Sequence, residues 1–500
     1  MKKVLTGILI ILLVSACSGK KGNPIIAENK LPGTTDWLIE VGFDSCVYPE
    51  HQYGRRPQIE GYCSHTSARA GDTIDFHIST DPVSQYTIDI YRLGYYQGKG
   101  GNLKTSIGPL NGTIQLMPEA DSISNFFECK WDNAYQLIIP QDWVSGVYLC
   151  KMTTMPEKYQ AYMIFIVKDD RETDFIFQCS DLTWQSYNKW PAWHSLYDEA
   201  HIPWKGSSGT VLTKSSFNRP YCIFVNGLPM RRIGKRYGFE GLTNGSGEFI
   251  LWEYPLAYWM EENGYDVSYV SNIDVHINPD ELLRAKAFLS VGHDEYWTVD
   301  IFDNVCKARD AGVDILFIGG NTISGTFYLD PSTDSTLYRT IGRIPRSADV
   351  RRVVAKDIMG VSSHGVGFGN FICREPGHWM FRGTGMMEGD SIPNLIGWET
   401  NGRPVGDKED LVILAETITA GSNGRLSDST RAQLTTIYTA ENGNFVFQAG
   451  TCYWPLFLAK TPAYREPWPA LNNSQLVDVS KPDPRVQKMT YNLFREALRN

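Results

Sequence analysis

The chain has no second long apolar run, no Cys-x-x-Cys pair and no long Lys/Arg run in its 500 residues. The first absence excludes a helical membrane span beyond the N-terminus. The second leaves a zinc ribbon or thioredoxin-type centre unsupported. The third, with a formal charge of −9, argues against a nucleic-acid partner. Nucleophile and phosphate signatures are missing as well. There is no Gly-x-Ser-x-Gly elbow, no Walker motif, and no Gly-x-Gly-x-x-Gly between a strand and a helix. What is present is an ordinary globular balance, 42% hydrophobic and 21% charged, with aromatics at 12%. That length exceeds one ordinary core, so two or more domains are expected.

Lys2 and Lys3 precede an apolar run from Val4 to Val14, and Ser15, Ala16 and Cys17 follow. A basic start, a short apolar core and small residues describe a signal peptide. Val14-Ser15-Ala16-Cys17 is similar to a bacterial lipobox, which makes Cys17 the lipidation site and residues 1–16 the cleaved signal. Ser18 after it fits an outer-membrane address. The expectation is an exported protein, lipid-anchored to the cell envelope. Residues 17–44 are read as lipidated N-terminus and tether, because the stretch from Ser18 to about residue 35 is polar with Gly and Pro. Nine cysteines remain. Cys46 with Cys63, or Cys129 with Cys150, are candidate disulfides, but spacing does not choose between these and buried free thiols.

Residues 45–170 read as all-β. Ile74, Phe76 and Ile78 alternate with polar residues, as do Tyr86, Ile88 and Ile90, then Tyr135, Leu137 and Ile139. Val147 and Leu149 follow Ser145-Gly146, and Met163–Val167 is continuously apolar. Period-two runs between turn signals predict an antiparallel β-sandwich. The charged run Lys168–Glu172 marks the boundary. From 171 to 500 strands alternate with helices. Phe175–Phe177, Ile223–Val225, Val267–Val270, Ala287–Val291 and Ile315–Ile318 read as strands, and Val446-Phe447 as another. Pro255 opens a helix closed by Gly264, Asn278-Pro279-Asp280-Glu281 reads as a helix start, Thr298 caps a helix to Ala311, and Val486–Leu498 is a last helix. This predicts a mostly parallel sheet with helices on both faces.

In such sheets ligands bind beyond the carboxyl ends of the strands. Three loops lie at such ends: Ser180-Asp181-Leu182-Thr183-Trp184-Gln185-Ser186-Tyr187-Asn188, Gly292-His293-Asp294-Glu295-Tyr296-Trp297, and Gly319-Gly320-Asn321-Thr322. The second holds an imidazole and two carboxylates within three positions, groups that are costly to bury unless paired or bound to a cation. A solvated loop with a helix-capping Asp is the plainer alternative.

These loops, with Ser216-Phe217-Asn218-Arg219-Pro220-Tyr221 and Gly397-Trp398-Glu399, resemble the large (β) subunit of N,N-dimethylformamidase. The resemblance implies a β-sandwich followed by a glutamine-amidotransferase-like three-layer α/β domain. It implies a mononuclear ferric ion held by Tyr187, Tyr221 and Glu295. His293, Asn321 and Glu399 are the implied catalytic polar residues, with Asn321 as a possible oxyanion donor. Phenolates and a carboxylate are hard anionic donors, which suit a trivalent hard cation. The implied activity is hydrolysis of a C–N amide bond, with a small amide-like molecule as substrate and the membrane reached through the lipid. A homo-oligomer stays open. The rival expectation is a surface lipoprotein that binds a small molecule or glycan on the same scaffold.

Overall fold

The computed structural model describes residues 22–39, 55, 57–121, 126–191, 194–196, 214–222, 245–344, 348–421, 425–463 and 482–499. Cys17, Cys46 and the expected strand Ile223–Val225 lie outside them. The fold is multidomain and β-rich, with several sheets.

Two sheets near the N-terminus share one core. The first has five strands in the order Ser67–Arg69, Gln160–Lys168, Gly146–Met155, Gln85–Leu93, Gly101–Asn111. The second has three, in the order Glu60–Cys63, Thr73–Ser79, Asn133–Ile138. All pairings are antiparallel except Ser67–Arg69 with Gln160–Lys168. Ile74, Phe76 and Ile78 meet Ile88, Ile90, Tyr148 and Phe165 between them. The strand Gln160–Lys168 is buried along its whole length. Its alternate residues explain why: Met163, Phe165 and Val167 enter the shared core, while Tyr162, Ile164 and Ile166 face the neighbouring α/β unit. A strand apolar on both faces loses its alternation, which is how Met163–Val167 reads in the sequence.

The α/β unit is built on a nine-stranded sheet. Its parallel part runs Val267–Ser271, Thr173–Cys179, Ala285–Gly292, Asp314–Gly319, Phe445–Gln448. Antiparallel strands Gln433–Thr439, Glu399–Val405 and Val361–Val366 extend it, and Val412–Thr417 pairs with Gln433–Thr439 as the ninth. The helix Val299–Asp310 connects two parallel strands, and its Thr298 cap accepts a hydrogen bond from the Ile301 N–H. The helix start expected at Asn278 yields one tight turn, Glu281–Arg284, because the next strand begins at Ala285. Instead Asn272–Ile277 forms the helix, opened by a capping box between Ser271 and Asp274.

Residues 22–39, expected to be part of a tether, are packed. Ile25 and Trp37 are fully buried, and the Trp37 ring meets Tyr254 edge-on at 5.5 Å. Cys63, Cys129 and Cys150 are free, buried thiols.

Candidate metal centre

The carboxyl ends of three adjacent parallel strands bring the expected loops together. Gly292 and Gly319 are register partners. Gly292 turns out of its strand at φ +71°, where any Cβ would lie 2.7 Å from the Trp252 side chain. Gly320 passes so close to the Glu399 carbonyl that a Cβ would sit 1.9 Å from it. Asn321 then takes a left-handed backbone, φ 52°, which Asn tolerates better than most residues. Gly-Gly-Asn is thus the local requirement for laying one strand end against another.

The two carboxylates of the 292–297 loop part company. Asp294 is anchored by Gln178 at 2.7 Å, Ser290 at 2.8 Å and Asn272 at 3.2 Å, so it braces the loop. Glu295 faces the cluster. Tyr187, last residue of the helix Asp181–Tyr187, donates its hydroxyl to Glu295 Oε2. Thr183 from the same helix accepts the Glu295 N–H at 3.0 Å. Asn321 Nδ2 donates to Glu295 Oε1 at 3.1 Å and to Glu399 Oε2 at 2.6 Å. His293 Nε2 lies 2.8 Å from Glu399 Oε2 and 3.4 Å from Glu295 Oε2, while Nδ1 lies 3.2 Å from Glu248 Oε2. One ligand atom from each of His293, Glu295 and Glu399 falls within 4.8 Å of the others, and all three are buried.

Among the described residues, negative groups outnumber positive ones in this cluster. One imidazole faces three carboxylates, those of Glu248, Glu295 and Glu399. Burial would push His293 down, but the Glu399 charge and hydrogen bonds to the carboxylates raise it well above its ordinary value. Burial and then the charge of Glu399 raise Glu295. Burial and the charges of Glu295 and Glu399 push the Tyr187 phenol far up. Without a cation the phenol keeps its proton; a hard cation among these oxygens reverses that preference.

The structure therefore brings together Tyr187, His293, Glu295, Asn321 and Glu399. Tyr221 has surroundings of its own. It borders a cavity of about 30 Å³ with Asp181, Arg219 and Arg339, and its ring lies 6.3 Å from Trp184. Among the described residues no hydrogen bond joins it to Glu295. Asn321 spends its amide on two carboxylates, which makes it a brace for them more than a free oxyanion donor. Glu248 is the partner that sequence reading missed; a lone Glu before the helix Phe249–Trp252 carries no signal of its own.

Comparison with known proteins adds one strong finding. A family profile described as "N,N-dimethylformamidase beta subunit-like, C-terminal" matches residues 87–466. No curated protein matches. Among solved structures the chain aligns with the "mmIFT52 N-terminal domain" at 15% identity. That alignment covers 48% of this chain and 87% of the other with a TM-score of 0.24, too low to support any argument.

Proposed function

The chain belongs to the N,N-dimethylformamidase beta subunit-like family, and from that premise we propose that it is a metal-dependent hydrolase of small amides, acting at the Tyr187–His293–Glu295–Glu399 cluster. The observation that carries this is the pair of buried carboxylates, Glu295 and Glu399, bridged by one Asn321 amide at the end of the parallel sheet. Two carboxylates and a phenol are a hard donor set, which fits a mononuclear ferric ion. Tyr187 and Glu295 would hold it. Tyr221 would be the third ligand, an assignment that rests on the family resemblance alone. When bound, such an ion supplies Lewis acidity toward the amide carbonyl.

The chain's own groups divide the remaining work. Water adds to the carbonyl carbon, the C–N bond breaks, and the amine needs a proton as it leaves. His293 Nε2, facing Glu399, is placed to deliver that proton. Glu399, 2.8 Å away, accepts the proton released by water and returns it to the ring. Glu248 holds the other face of the imidazole and fixes its orientation. Asn321 keeps Glu295 and Glu399 at their spacing.

The finer parts of the proposal follow the same resemblance. The paired N-terminal sheets are an immunoglobulin-like sandwich, and the nine-stranded unit is a glutamine-amidotransferase-like three-layer domain. Export and lipidation at Cys17 rest on Lys2-Lys3, the Val4–Val14 run and the lipobox. The test uses the full chain reconstituted with iron. One iron per chain and release of amine from N,N-dimethylformamide or another small amide support the reading, with both lost in Glu295→Gln. A protein that binds no iron and cleaves no amide overturns it.

A further inference from the structure

The packed segment that stands where a tether was expected fixes the place at which a lipid on Cys17 would hold the molecule. Asn23 caps the short helix Pro24–Glu28, and its Nδ2 donates to the Gly264 carbonyl at 3.0 Å. It comes six residues after Cys17, so the covalent chain between them reaches at most about 20 Å. Ile25 and Trp37 are fully buried, so the segment past Asn23 adds no slack. Gly264 lies just ahead of the strand Val267–Ser271, at the amino ends of the parallel strands. The cluster lies at their carboxyl ends. The strand Ala285–Gly292 runs between the two levels and its eight residues measure about 25 Å. An anchor at Cys17 therefore pulls on the edge of the sheet opposite the cluster.

That edge has the surface chemistry of a bilayer contact. The Ile26 side chain packs against Gly264 yet is 42% exposed, and Leu31 is 41% exposed. The last helix, Pro484–Ala497, carries Lys488, Tyr491 and Arg495 three and four residues apart, on one face. Tyr491 is 43% exposed, with the Lys488 ammonium 4.8 Å and the Arg495 guanidinium 6.0 Å from its ring centre. Two contacts bring this helix to the same edge. The Phe494 ring lies 5.1 Å from Tyr265, the neighbour of Gly264, and Lys286, at the start of its strand, donates to the Leu498 carbonyl at 3.0 Å. Exposed aliphatics, a tyrosine and long cations beside it suit the zone where headgroups meet acyl chains. Lys30 is exposed next to Leu31, and Lys20 and Lys21 lie between Cys17 and Asn23. Of the acids nearby, Glu28 is paired with Lys104 and Glu496 with Arg499, while Glu262 is exposed. A chain of net charge −9 thus gathers cations where its anchor would be, which favours anionic lipid.

We propose that this edge, formed by Ile26, Leu31, Lys30, Lys488, Tyr491 and Arg495, rests on an anionic lipid bilayer, and that the cluster is held on the far side of the sheet from it. The inference rests on the lipidation of Cys17 proposed above. It gives the amide hydrolase a direction: its substrate comes from the aqueous phase, as a water-soluble amide, and the bilayer leaves the strand ends clear.

The test uses the full chain, expressed with its own N-terminus, in vesicles of phosphatidylethanolamine and phosphatidylglycerol that contain doxyl-labelled lipid. A bimane label is placed at Ile26→Cys, at Tyr491→Cys or at Val366→Cys, each in a Cys306→Ser background. Val366 is exposed and is the register partner of Glu399, so it reports on the cluster's end of the sheet. Doxyl lipid is expected to dim the labels at 26 and 491 at least about twofold and to leave the label at 366 bright. Ile26→Ser with Leu31→Ser should keep the lipid on Cys17 and lose the dimming at 491. Bright labels at 26 and 491 on a chain whose mass shows the lipid overturn the proposal, as does dimming at 366 or dimming at 491 that survives the two serines. Shielding at 26 that appears without vesicles and grows with protein concentration also overturns it, assigning the edge to a second copy of the chain. A mass without lipid refutes the anchor itself, and the inference falls with it.

Discussion

Two places in this molecule bury charged groups, and they do so in opposite ways. At the seam of the N-terminal segment, the first sheet and the α/β unit, Arg92 and Glu261 form a fully buried pair at 2.8 Å. Every remaining lobe is taken. Arg92 also donates to the carbonyls of Leu93 at 3.1 Å and Ser145 at 2.8 Å, and Glu261 accepts from Asn29 at 2.8 Å and Tyr269 at 2.9 Å. Nearby, Lys104 pairs with Glu28, so cations and anions balance. At the cluster, three carboxylates face one imidazole among the described residues. A balanced, saturated network is a clamp, since its parts are already content with each other. A surplus of one sign, held buried by the fold, is a site that awaits a counter-charge.

The largest expected effect breaks the clamp. Glu261→Ala leaves Arg92 buried and unpaired and lowers unfolding free energy by about 3–5 kcal/mol in chemical denaturation. The same kind of change at the cluster goes the other way. In the metal-free chain, Glu295→Gln relieves repulsion with Glu399 and raises stability by on the order of 1 kcal/mol while abolishing iron binding. A loss of stability as large as that of Glu261→Ala would erase the distinction between the two regions. A third prediction concerns pH. Burial pushes the Asp181 carboxyl from its ordinary 3.8 up to about 8. Its folded value is raised, so its contribution is fully present below about pH 4 and is lost as pH rises through about 8. Asp181→Asn should therefore flatten the fall in stability across that window, measured as unfolding midpoints at stepped pH. The smallest effect belongs to an exposed pair, Lys307 with Asp280. Asp280→Asn should change stability by less than about 0.5 kcal/mol, which sets the scale for the others.

Much of this was legible in the residues, for physical reasons that also explain the gaps. Thr298 and the Val305 face announced the Val299–Asp310 helix because capping and periodicity agree there. The parallel strands around it then forced the 292–297 and 319–322 loops together, and Asn321 does meet Glu295. The strand Gly101–Asn111 escaped notice because it is half exposed and carries Gly and Pro. Packing of residues 22–39 rests on Ile25, Asn29 and Trp37 finding partners far along the chain, which composition does not display. Glu248 was invisible for the same reason: its meaning lies in what the fold places beside it.

The central claim is that surplus buried acid at the strand ends is a hard-metal amidase centre, and metal analysis of the full chain tests it most directly. The account predicts one iron per chain with a phenolate-to-iron absorption band that disappears in Tyr187→Phe. A folded chain that takes up no iron, or one whose iron and colour are untouched by Tyr187→Phe and Glu295→Gln, would contradict it.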